Sequence, residues 1–342
     1  MAVGPTVSVL MPVHNAAEHL AEAIESFAKQ TFGDFEFLII DDGSTDASEQ
    51  IIAAYAERDQ RIRMVHNNVN HGLTNCLNQG LTLARGEYIA RMDGDDVSLA
   101  ERLERQVAFL AANRRVGVCG TWVQTIGEFG GRVERYPTSN ADIRCQLLFG
   151  DVLAHPSVMI RRSLLAEHGL TYNPTFQYAQ DYDLWVRIGE HAELANIPHV
   201  LLHYRLHRQQ VGRLQQEAQL QAAARVQLAQ LERLGLQPTE AEQALHEAIS
   251  YSRFEPTRRF IDAAELWLCQ ILEANRQAGR YAEAALAQAI GMRWYTICRL
   301  ATALGPWAWW RFQRSPLRRG ATIDRLQIGK FVLKSLVRSP SL

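Results

Sequence analysis

The chain has 342 residues, of which 47% are hydrophobic and 21% are charged, and its formal net charge is −1. This composition is typical of a folded globular protein and excludes a disordered or fibrous chain, and the length is sufficient for two domains. The near-zero charge hides an asymmetry, because residues 290–342 contain ten Arg or Lys and one acid, Asp324. This end therefore carries +9 and the remainder about −10, so the two ends are expected to meet different partners.

The five cysteines are scattered, odd in number and without a Cys-x-x-Cys spacing. This pattern indicates free thiols in a reducing compartment, not disulfides or zinc ligands. The first apolar run, residues 7–13, lacks the basic flank and the cleavage site of a signal peptide. The most apolar late segment, residues 296–310, is too short and too interrupted for a spanning helix. We therefore predict a cytoplasmic protein, with the inner face of the membrane as an alternative location.

The first 97 residues alternate between buried strands and amphipathic helices. Apolar runs predict strands over residues 6–13, 35–40, 61–66 and 87–92, with a helix after each of the first three. This β-α-β-α-β-α-β order with short connections predicts a parallel sheet covered by helices on both faces. Ligands of such sheets lie at the carboxyl ends of the strands. One rim is thus expected to carry residues 12–15, 41–44, 70–72 and 93–96.

Three carboxylates, those of Asp93, Asp95 and Asp96, crowd into four positions directly after the fourth predicted strand. Like charges that close repel one another, and desolvating them is costly without compensation. Mg²⁺ or Mn²⁺ can compensate, since these ions take carboxylate oxygens as ligands and leave further positions for water and phosphate. The alternative interpretation is a solvated acidic turn that caps the helix predicted over residues 99–110.

The rim lacks both common phosphate-binding motifs. No Gly-x-Gly-x-x-Gly follows the first strand, and no P-loop sequence is present, so a dinucleotide-binding or P-loop domain is not indicated. A mononucleotide can instead be bound by side chains: the carboxylate of Asp41 or Asp42 could accept from a base or a ribose hydroxyl, and the ring of His14 could lie against the base. Alternatively, Asp42 and Gly43 form a turn and Ser44 caps a helix.

Further along, residues 116–126 and 131–136 are predicted as antiparallel strands, and residues 194–206 as an extended segment. Asp181 lies at the start of a predicted helix, where the helix N-terminus disfavours protonation, so it should remain available as a carboxylate base. His207 follows the extended segment. It is either a core or solvent-facing histidine or a nitrogen ligand that completes a metal site.

Six motifs follow one another along the chain: residues 7–15, Asp41-Asp42-Gly43-Ser44-Thr45-Asp46, Asn70-His71-Gly72, Asp93-Gly94-Asp95-Asp96, Gln180-Asp181-Tyr182-Asp183-Leu184-Trp185 and Tyr204-Arg205-Leu206-His207. In this order and spacing they resemble family 2 glycosyltransferases of the GT-A fold. The resemblance covers residues 6–212, and it is nearest to bacterial lipooligosaccharide transferases, including β-1,3-N-acetylglucosaminyltransferases.

The resemblance implies an α/β fold with a Rossmann-like mixed sheet, helices on both faces and a C-terminal helical extension. It places a catalytic domain at residues 1–212, with a nucleotide-binding half at 1–97 and an acceptor half at 98–212, and a helical region at 213–342. The implied activity is inverting transfer of a sugar from a nucleotide-sugar donor, most often a UDP-sugar, to a hydroxyl of a glycan or lipid-linked glycan. Such a transfer would be one step in the synthesis of a cell-surface polysaccharide or lipooligosaccharide.

The resemblance also assigns roles by position. Mn²⁺ or Mg²⁺ would bridge the donor diphosphate, and an acid on the opposite face of the sugar would deprotonate the acceptor, as inversion requires. The implied residues are Pro12, His14, Asn15, Asp41, Asp42 and Gly72 around the nucleotide, Asp93 at the ribose, Asp95 and Asp96 at the metal with His207 as a further ligand, and Asp181 as the base.

One position departs from the family pattern, because Gln180 stands where the family usually has Glu. Activity then requires Asp181 to serve as the proton acceptor. Two other functions stay open: a sugar-nucleotidyltransferase, which the missing Gly-rich amino-terminal loop disfavours, and a catalytically inactive glycan-binding homologue.

From residue 213 the composition shifts to Gln, Ala, Leu, Glu and Arg, which predicts helices over residues 214–234, 240–249 and 263–272. Packing on the catalytic domain or a homodimer contact would account for most of this region. Residues 293–338 combine tryptophans with basic residues, which suits an anionic membrane surface. No nucleic-acid recognition module accompanies them, so we do not expect a nucleic-acid partner.

Overall fold

The computed structural model describes residues 4–207 and 215–337. The chain divides into two compact units, residues 1–140 with 151–223 and residues 141–150 with 224–342. The predicted boundary between residues 212 and 213 lies outside the described residues. Residues 141–150, which the sequence placed in the acceptor half, belong to the second unit.

The first unit is built on one mixed sheet. Its strands are β1 (Val7–Val13), β2 (Phe35–Asp42), β3 (Ile62–Asn67), β4 (Tyr88–Arg91), β5 (Val97–Ser98), β6 (Val116–Gly127), β7 (Val133–Glu134), β8 (Met159–Arg161) and β9 (Glu193–Leu206). The described strands are ordered β3-β2-β1-β4-β8-β6-β9-β5, with β7 paired to β6. The first four are parallel neighbours, as the alternation of strands and helices predicts. From β8 onward, antiparallel pairs make the sheet mixed.

Helices connect these strands. They are α1 (Ala17–Ala28), α2 (Ser48–Ala56), α3 (Leu73–Leu83), α4 (Arg102–Ala112), α5 (Asn140–Leu147), α6 (Arg162–Glu167) and α7 (Gln180–Ile188). The helix predicted from residue 99 begins three residues later. The preceding residues form β5 and pair with His203 and Leu202 of β9, and this long-range pairing left no signal in the local sequence.

Strand β2 is buried along all eight residues, including three acids. One of them, Glu36, accepts hydrogen bonds from Ser8 Oγ at 2.6 Å, Arg63 Nη1 at 2.7 Å and both the backbone N–H and the side chain of Arg85 at 2.8 Å. Burial by itself would raise the pKa of Glu36, but these donors outweigh it and lower the pKa to about 2. The charge is thus compensated by donors on β1, β3 and the segment before β4.

We expect Glu36→Gln to lower the midpoint of thermal unfolding at pH 7 by about 5 °C, since losing a buried, well-bonded carboxylate costs about 2 kcal/mol. The folded pKa lies below the unfolded one, so this stabilisation is present above the unfolded pKa and is lost as the pH falls toward 2. The gap between the two melting curves should therefore shrink on acidification. Glu87→Gln is the control, because Glu87 is 62% exposed and lies 3.6 Å from Arg161. A gap that stays constant with pH would contradict the role of the charge.

The second unit is helical. Beside the residues of α5 from position 141 onward and those of α8 (Gln216–Arg233) from position 224 onward, it contains α9 (Glu240–Tyr251), α10 (Arg258–Ala278), α11 (Glu283–Leu300), α12 (Pro306–Arg314) and α13 (Arg325–Leu336). The three helices predicted in this region are confirmed as α8, α9 and α10. Thr239 caps α9 in a capping box with Glu242, an arrangement that bonds otherwise unpaired N–H groups at a helix start.

The segment 141–150 is held in the second unit through its backbone carbonyls. Gln230, His246 and Gln227 donate to the carbonyl oxygens of residues 147, 148 and 149, at 2.8, 3.0 and 2.8 Å. The other ring nitrogen of His246 accepts from Trp267 Nε1 at 3.1 Å. A buried carbonyl needs such a donor, so these side chains explain why the segment joins this unit.

Tryptophans in the basic C-terminal region are mostly part of this core. Trp294 is fully buried, Trp307 and Trp309 are half-buried, and Trp310 is 46% exposed. The expectation that Trp294 contributes to a membrane surface was therefore wrong. Helical spacing alone did not reveal which side of α11 would be covered. Residue 338, at the end of the predicted membrane-facing region, lies outside the described residues.

All five cysteines are free thiols, as predicted. No helix among the described residues combines the length and the apolar character needed to cross a bilayer.

Candidate active site

The carboxyl ends of β1 and β2 lie next to each other and are joined by side chains. His14 donates from Nδ1 to the backbone oxygen of Asp42 at 2.9 Å, so its Nε2 is the acceptor that faces Asn15 Nδ2 at 3.2 Å. Asn15, in a left-handed conformation, accepts from the Thr45 N–H at 2.8 Å and donates its own backbone N–H to Ser44 Oγ at 3.0 Å. Pro12 is half-buried beside Ile40. Both ends therefore form one rim, as predicted.

Asp42 fixes the loop that precedes α3. Its carboxylate accepts from Asn67 Nδ2 at 3.1 Å and from the backbone N–H groups of His71 at 3.0 Å and Gly72 at 2.8 Å. Burial acts to raise its pKa, but these hydrogen bonds lower it, so the group is a carboxylate at neutral pH. Gly72 has φ +86°, which an L side chain would strain. A Cβ at Gly43 would lie 2.8 Å from the backbone of residue 69, so the loop can approach only a glycine here.

Asp41 is fully buried at the same strand end. Its Oδ2 lies 2.9 Å from His66 Nδ1, and its Oδ1 accepts from the Ser44 N–H at 3.3 Å. The two aspartates thus have different partners. Asp42 bonds the loop before α3, and Asp41 contacts the end of β3.

The three acids after β4 converge. One oxygen each of Asp93, Asp95 and Asp96 lies within 4.8 Å of the others. Asp93 forms an ion pair with the buried Arg91. Burial raises the pKa of Asp93, and the charges of Asp95 and Asp181 add to this effect, while Arg91 opposes it. The predicted cluster is therefore real in space, and the charge of Asp181 acts on it.

Asp96 is the most deeply buried of the three, at 1% exposure. Its Oδ1 accepts from the Arg205 N–H at 2.7 Å, whereas its Oδ2 has no hydrogen-bond partner among residues 4–207 and 215–337. Burial, followed by the charges of Asp93 and Asp95, raises its pKa well above the ordinary value. A buried carboxylate oxygen without a donor is costly, and oxygen is the ligand that Mg²⁺ and Mn²⁺ prefer. The residues present therefore fit a divalent metal.

The end of β9 closes the cluster. His207 Nε2 lies 3.0 Å from Asp95 Oδ2, but His207 does not belong to the group of three close carboxylates in the described part of the chain. Arg205 donates from Nε to the backbone oxygen of Asp95 at 2.7 Å and forms an ion pair with Glu22 at 2.6 Å. His207 thus lies next to the acidic cluster, where the sequence predicted a metal ligand. In the structure its contact is with the carboxylate of Asp95.

Asp181 lies in the first turn of α7 with its side chain 22% exposed, whereas Gln180 beside it is buried. Its Oδ1 accepts from the Tyr182 N–H at 2.9 Å. The prediction that the helix N-terminus would keep the pKa of Asp181 low was wrong in direction. Burial raises the pKa of Asp181, although the Tyr182 N–H and the charge of Arg91 lower it. Desolvation therefore outweighs the effect of the helix N-terminus on this carboxyl group.

His155, for which the sequence predicted no role, lies beside Asp181. Its Nδ1 is 3.7 Å from Asp181 Oδ2, and its Nε2 is 2.9 Å from the hydroxyl of Tyr172. Burial and the charge of Arg91 lower its pKa well below the ordinary value, so the ring is neutral.

Sequence reasoning missed Arg91 and Arg205 as parts of the site. Arg205 lies inside the motif that ends in His207, and Arg91 lies in the predicted strand just before the three acids. The signal that could have found them was charge balance, because three adjacent acids at a buried strand end require nearby cations.

Comparisons with known proteins identify the family. A family model described as Glycosyl transferase family 2 matches residues 8–169. An uncharacterized glycosyltransferase of Haemophilus influenzae is 32% identical over 232 residues, 65% of this chain and 72% of the relative. The putative glycosyltransferase EpsE of Bacillus subtilis is 38% identical over 192 residues, 56% of this chain and 69% of the relative. The O-antigen biosynthesis glycosyltransferase WbnJ of Escherichia coli is 34% identical over 209 residues, 59% of this chain and 80% of the relative.

Solved structures share the fold. S. aureus TarS 1–349 in complex with UDP-GlcNAc aligns over 93% of both chains, with a TM-score of 0.58 and 18% identity. The mannosyltransferase PcManGT from Pyrobaculum calidifontis, in complex with GDP-Man and Mn²⁺, aligns over 98% of this chain and 87% of its own, with a TM-score of 0.51 and 16% identity. With the predicted sheet and rim confirmed, this chain belongs to glycosyltransferase family 2 and has the GT-A fold.

Proposed function

We propose that the chain transfers a sugar from a nucleotide-sugar donor, a UDP-sugar, to a hydroxyl of a glycan or lipid-linked glycan, with inversion at the anomeric carbon. The product would be part of a cell-surface polysaccharide or lipooligosaccharide. One observation carries this proposal: three carboxylates converge directly after β4, and one of them, Asp96, has a buried oxygen without a hydrogen-bond partner in the described part of the chain. The O-antigen relative and the UDP-GlcNAc complex of TarS support the substrate class.

In this proposal the rim formed by β1, β2 and the loop before α3 binds the nucleotide. Asp42, with Asp41 beside it, holds the uridine, while Pro12 and His14 flank it. Asn15 and Gly72 keep the two loops in place through the hydrogen bonds described above. Asp93, which follows β4, contacts the ribose. His14, Asp41 and Asp42 are each held by a hydrogen bond to a neighbouring strand or loop, so the nucleotide would meet a preorganised surface.

The acidic cluster would lie at the diphosphate of the donor. Asp95 and Asp96 would hold Mn²⁺ or Mg²⁺, with His207 as a further ligand once its contact to Asp95 is released. A divalent cation at this point supplies charge neutralisation to the leaving nucleoside diphosphate. Arg205, through its contacts with both aspartates, holds this loop against β9.

Asp181 would receive the proton of the acceptor hydroxyl as that oxygen attacks the sugar. A carboxylate with a raised pKa is a stronger base than an ordinary one, provided that it is ionised at the working pH. Gln180 is buried, so the residue of this pair that reaches solvent is the acid. The departure from the family's usual Glu is therefore compatible with activity.

Release of nucleoside diphosphate from a panel of nucleotide-sugars, with Mn²⁺ and with or without glycan acceptors, tests the proposal. We expect release of UDP from at least one UDP-sugar, and we expect an acceptor to increase the rate of this release. Release only from GDP-mannose would overturn the choice of nucleotide. Pyrophosphate from UTP and a sugar 1-phosphate would indicate a nucleotidyltransferase, and glycan binding with no release from any donor would indicate an inactive homologue.

A further inference from the structure

The outward face of α13 carries four large apolar side chains. Leu326, Leu333, Leu336 and Val337 are each more than 60% exposed. The opposite face packs into the second unit through Phe331, which is 1% exposed. Surface helices normally turn their polar side to water, and large exposed apolar patches mark interaction sites. This helix turns an apolar side outward, so the face requires a partner.

The charge around this face is strongly positive. Residues 301–337 contain seven Arg or Lys and one acid, Asp324, which caps α13. Arg325 and Lys330 are exposed together with the leucines. Arg311 is different, because it pairs with Asp262 at 2.9 Å and with Glu265, and so does not add to the surface charge.

Helix α12 adds an exposed aromatic ring. Trp310 is 46% exposed, and the guanidinium of Arg314 lies 4.6 Å from the centre of its ring. Helix α12 packs on α13 within the same unit. Tryptophan and arginine are suited to the boundary between lipid headgroups and acyl chains, where one part of the side chain is apolar and the other is wet.

We propose that the outward face of α13, with Trp310 of α12, binds the surface of an anionic lipid bilayer. The leucines and the valine would enter the headgroup boundary, and the basic residues would meet lipid phosphates. The occupant is a membrane and not a second copy of the chain, because residues 301–337 carry seven basic residues against one acid, and two copies of this positive surface would repel each other. This narrows the membrane-facing region predicted over residues 293–338 to one helix face and one tryptophan.

The test is co-sedimentation of the full chain with vesicles of phosphatidylcholine alone or with about 30% phosphatidylglycerol. We expect binding to the anionic vesicles that weakens in high salt, and weak binding to the neutral ones. The variant with Leu333→Glu and Leu336→Glu should lose at least tenfold in its partition coefficient. Both side chains are already exposed, so its circular dichroism and thermal unfolding should match the wild type.

Leu266→Glu is the matched control, since Leu266 is 63% exposed on α10 and should leave partitioning unchanged. Failure of the wild type to bind anionic vesicles, or equal binding by the double variant, would overturn the proposal. So would a wild-type dimer that the double variant converts to a monomer without a change in vesicle binding, because the partner would then be a second copy. None of these readouts uses transferase activity, so the result is independent of the proposed function.

Discussion

Asp181→Asn is expected to lower kcat by about a thousandfold while the affinity for the donor stays close to that of the wild type. A positioned general base contributes about 10²–10⁴-fold to such reactions, and Asn keeps the shape of the side chain but cannot accept the proton. The Tyr182 N–H at 2.9 Å can still be bonded by the amide oxygen. Single-turnover kinetics and a donor-binding titration would separate the two effects.

The pH dependence gives a second check on the same residue. The base must be ionised, so the wild-type rate should fall as the pH drops through the pKa of Asp181, which burial raises above its ordinary value. Asp183→Asn is the control: Asp183 lies two residues away on α7 and pairs with Arg187 at 2.7 Å. We expect this variant to keep the wild-type acidic limb and to lose less than about threefold in rate. An active Asp181→Asn enzyme would remove the assignment.

Asp95→Asn is expected to abolish the metal-dependent part of donor binding and to lower turnover by at least about a hundredfold, because a metal supplies several kcal/mol of charge stabilisation. For the wild type, Mn²⁺ together with UDP should raise the midpoint of thermal unfolding, since a ligand that binds only the folded state stabilises it. The variant should show little or no shift. Titration calorimetry with UDP, with and without Mn²⁺, measures the same difference directly.

Glu101→Gln serves as the control for this experiment. Glu101 is an exposed acid before α4 that pairs with Arg105 at 2.7 Å, and its removal changes the net charge by the same amount. The control should respond to Mn²⁺ like the wild type. Undiminished turnover in EDTA, with the metal content of the protein shown to be negligible, would contradict the metal role of Asp95.

Much of the first half of the chain was predictable because its signals are local. The apolar runs of β1 and β2 are continuous, and parallel strands bring their carboxyl ends to one edge by geometry alone. That rule is why Asp42 and the acids after β4 could be assigned to the same rim before any coordinates. The identity of the family followed from the order of these motifs.

The details of the site were not predictable in the same way, because burial depends on what packs around a residue. Asp95 and Asp96 are neighbours in sequence and both contact the end of β9, but the side chain of Asp95 is 26% exposed whereas Asp96 is 1% exposed. For Asp181, the helix end predicted the wrong direction of the pKa shift, since desolvation by distant segments is larger.

Taken by itself, the sequence determined the alternation of strands and helices, the edge where the acids gather and the basic character of the C-terminal end, because each is set by side chains close together in the chain. Tertiary structure alone decided that residues 141–150 join the helical unit, that Trp294 is buried and that α13 turns leucines outward. In each case the outcome depends on which surfaces remote segments cover, and a local pattern of apolar and polar residues does not encode that choice.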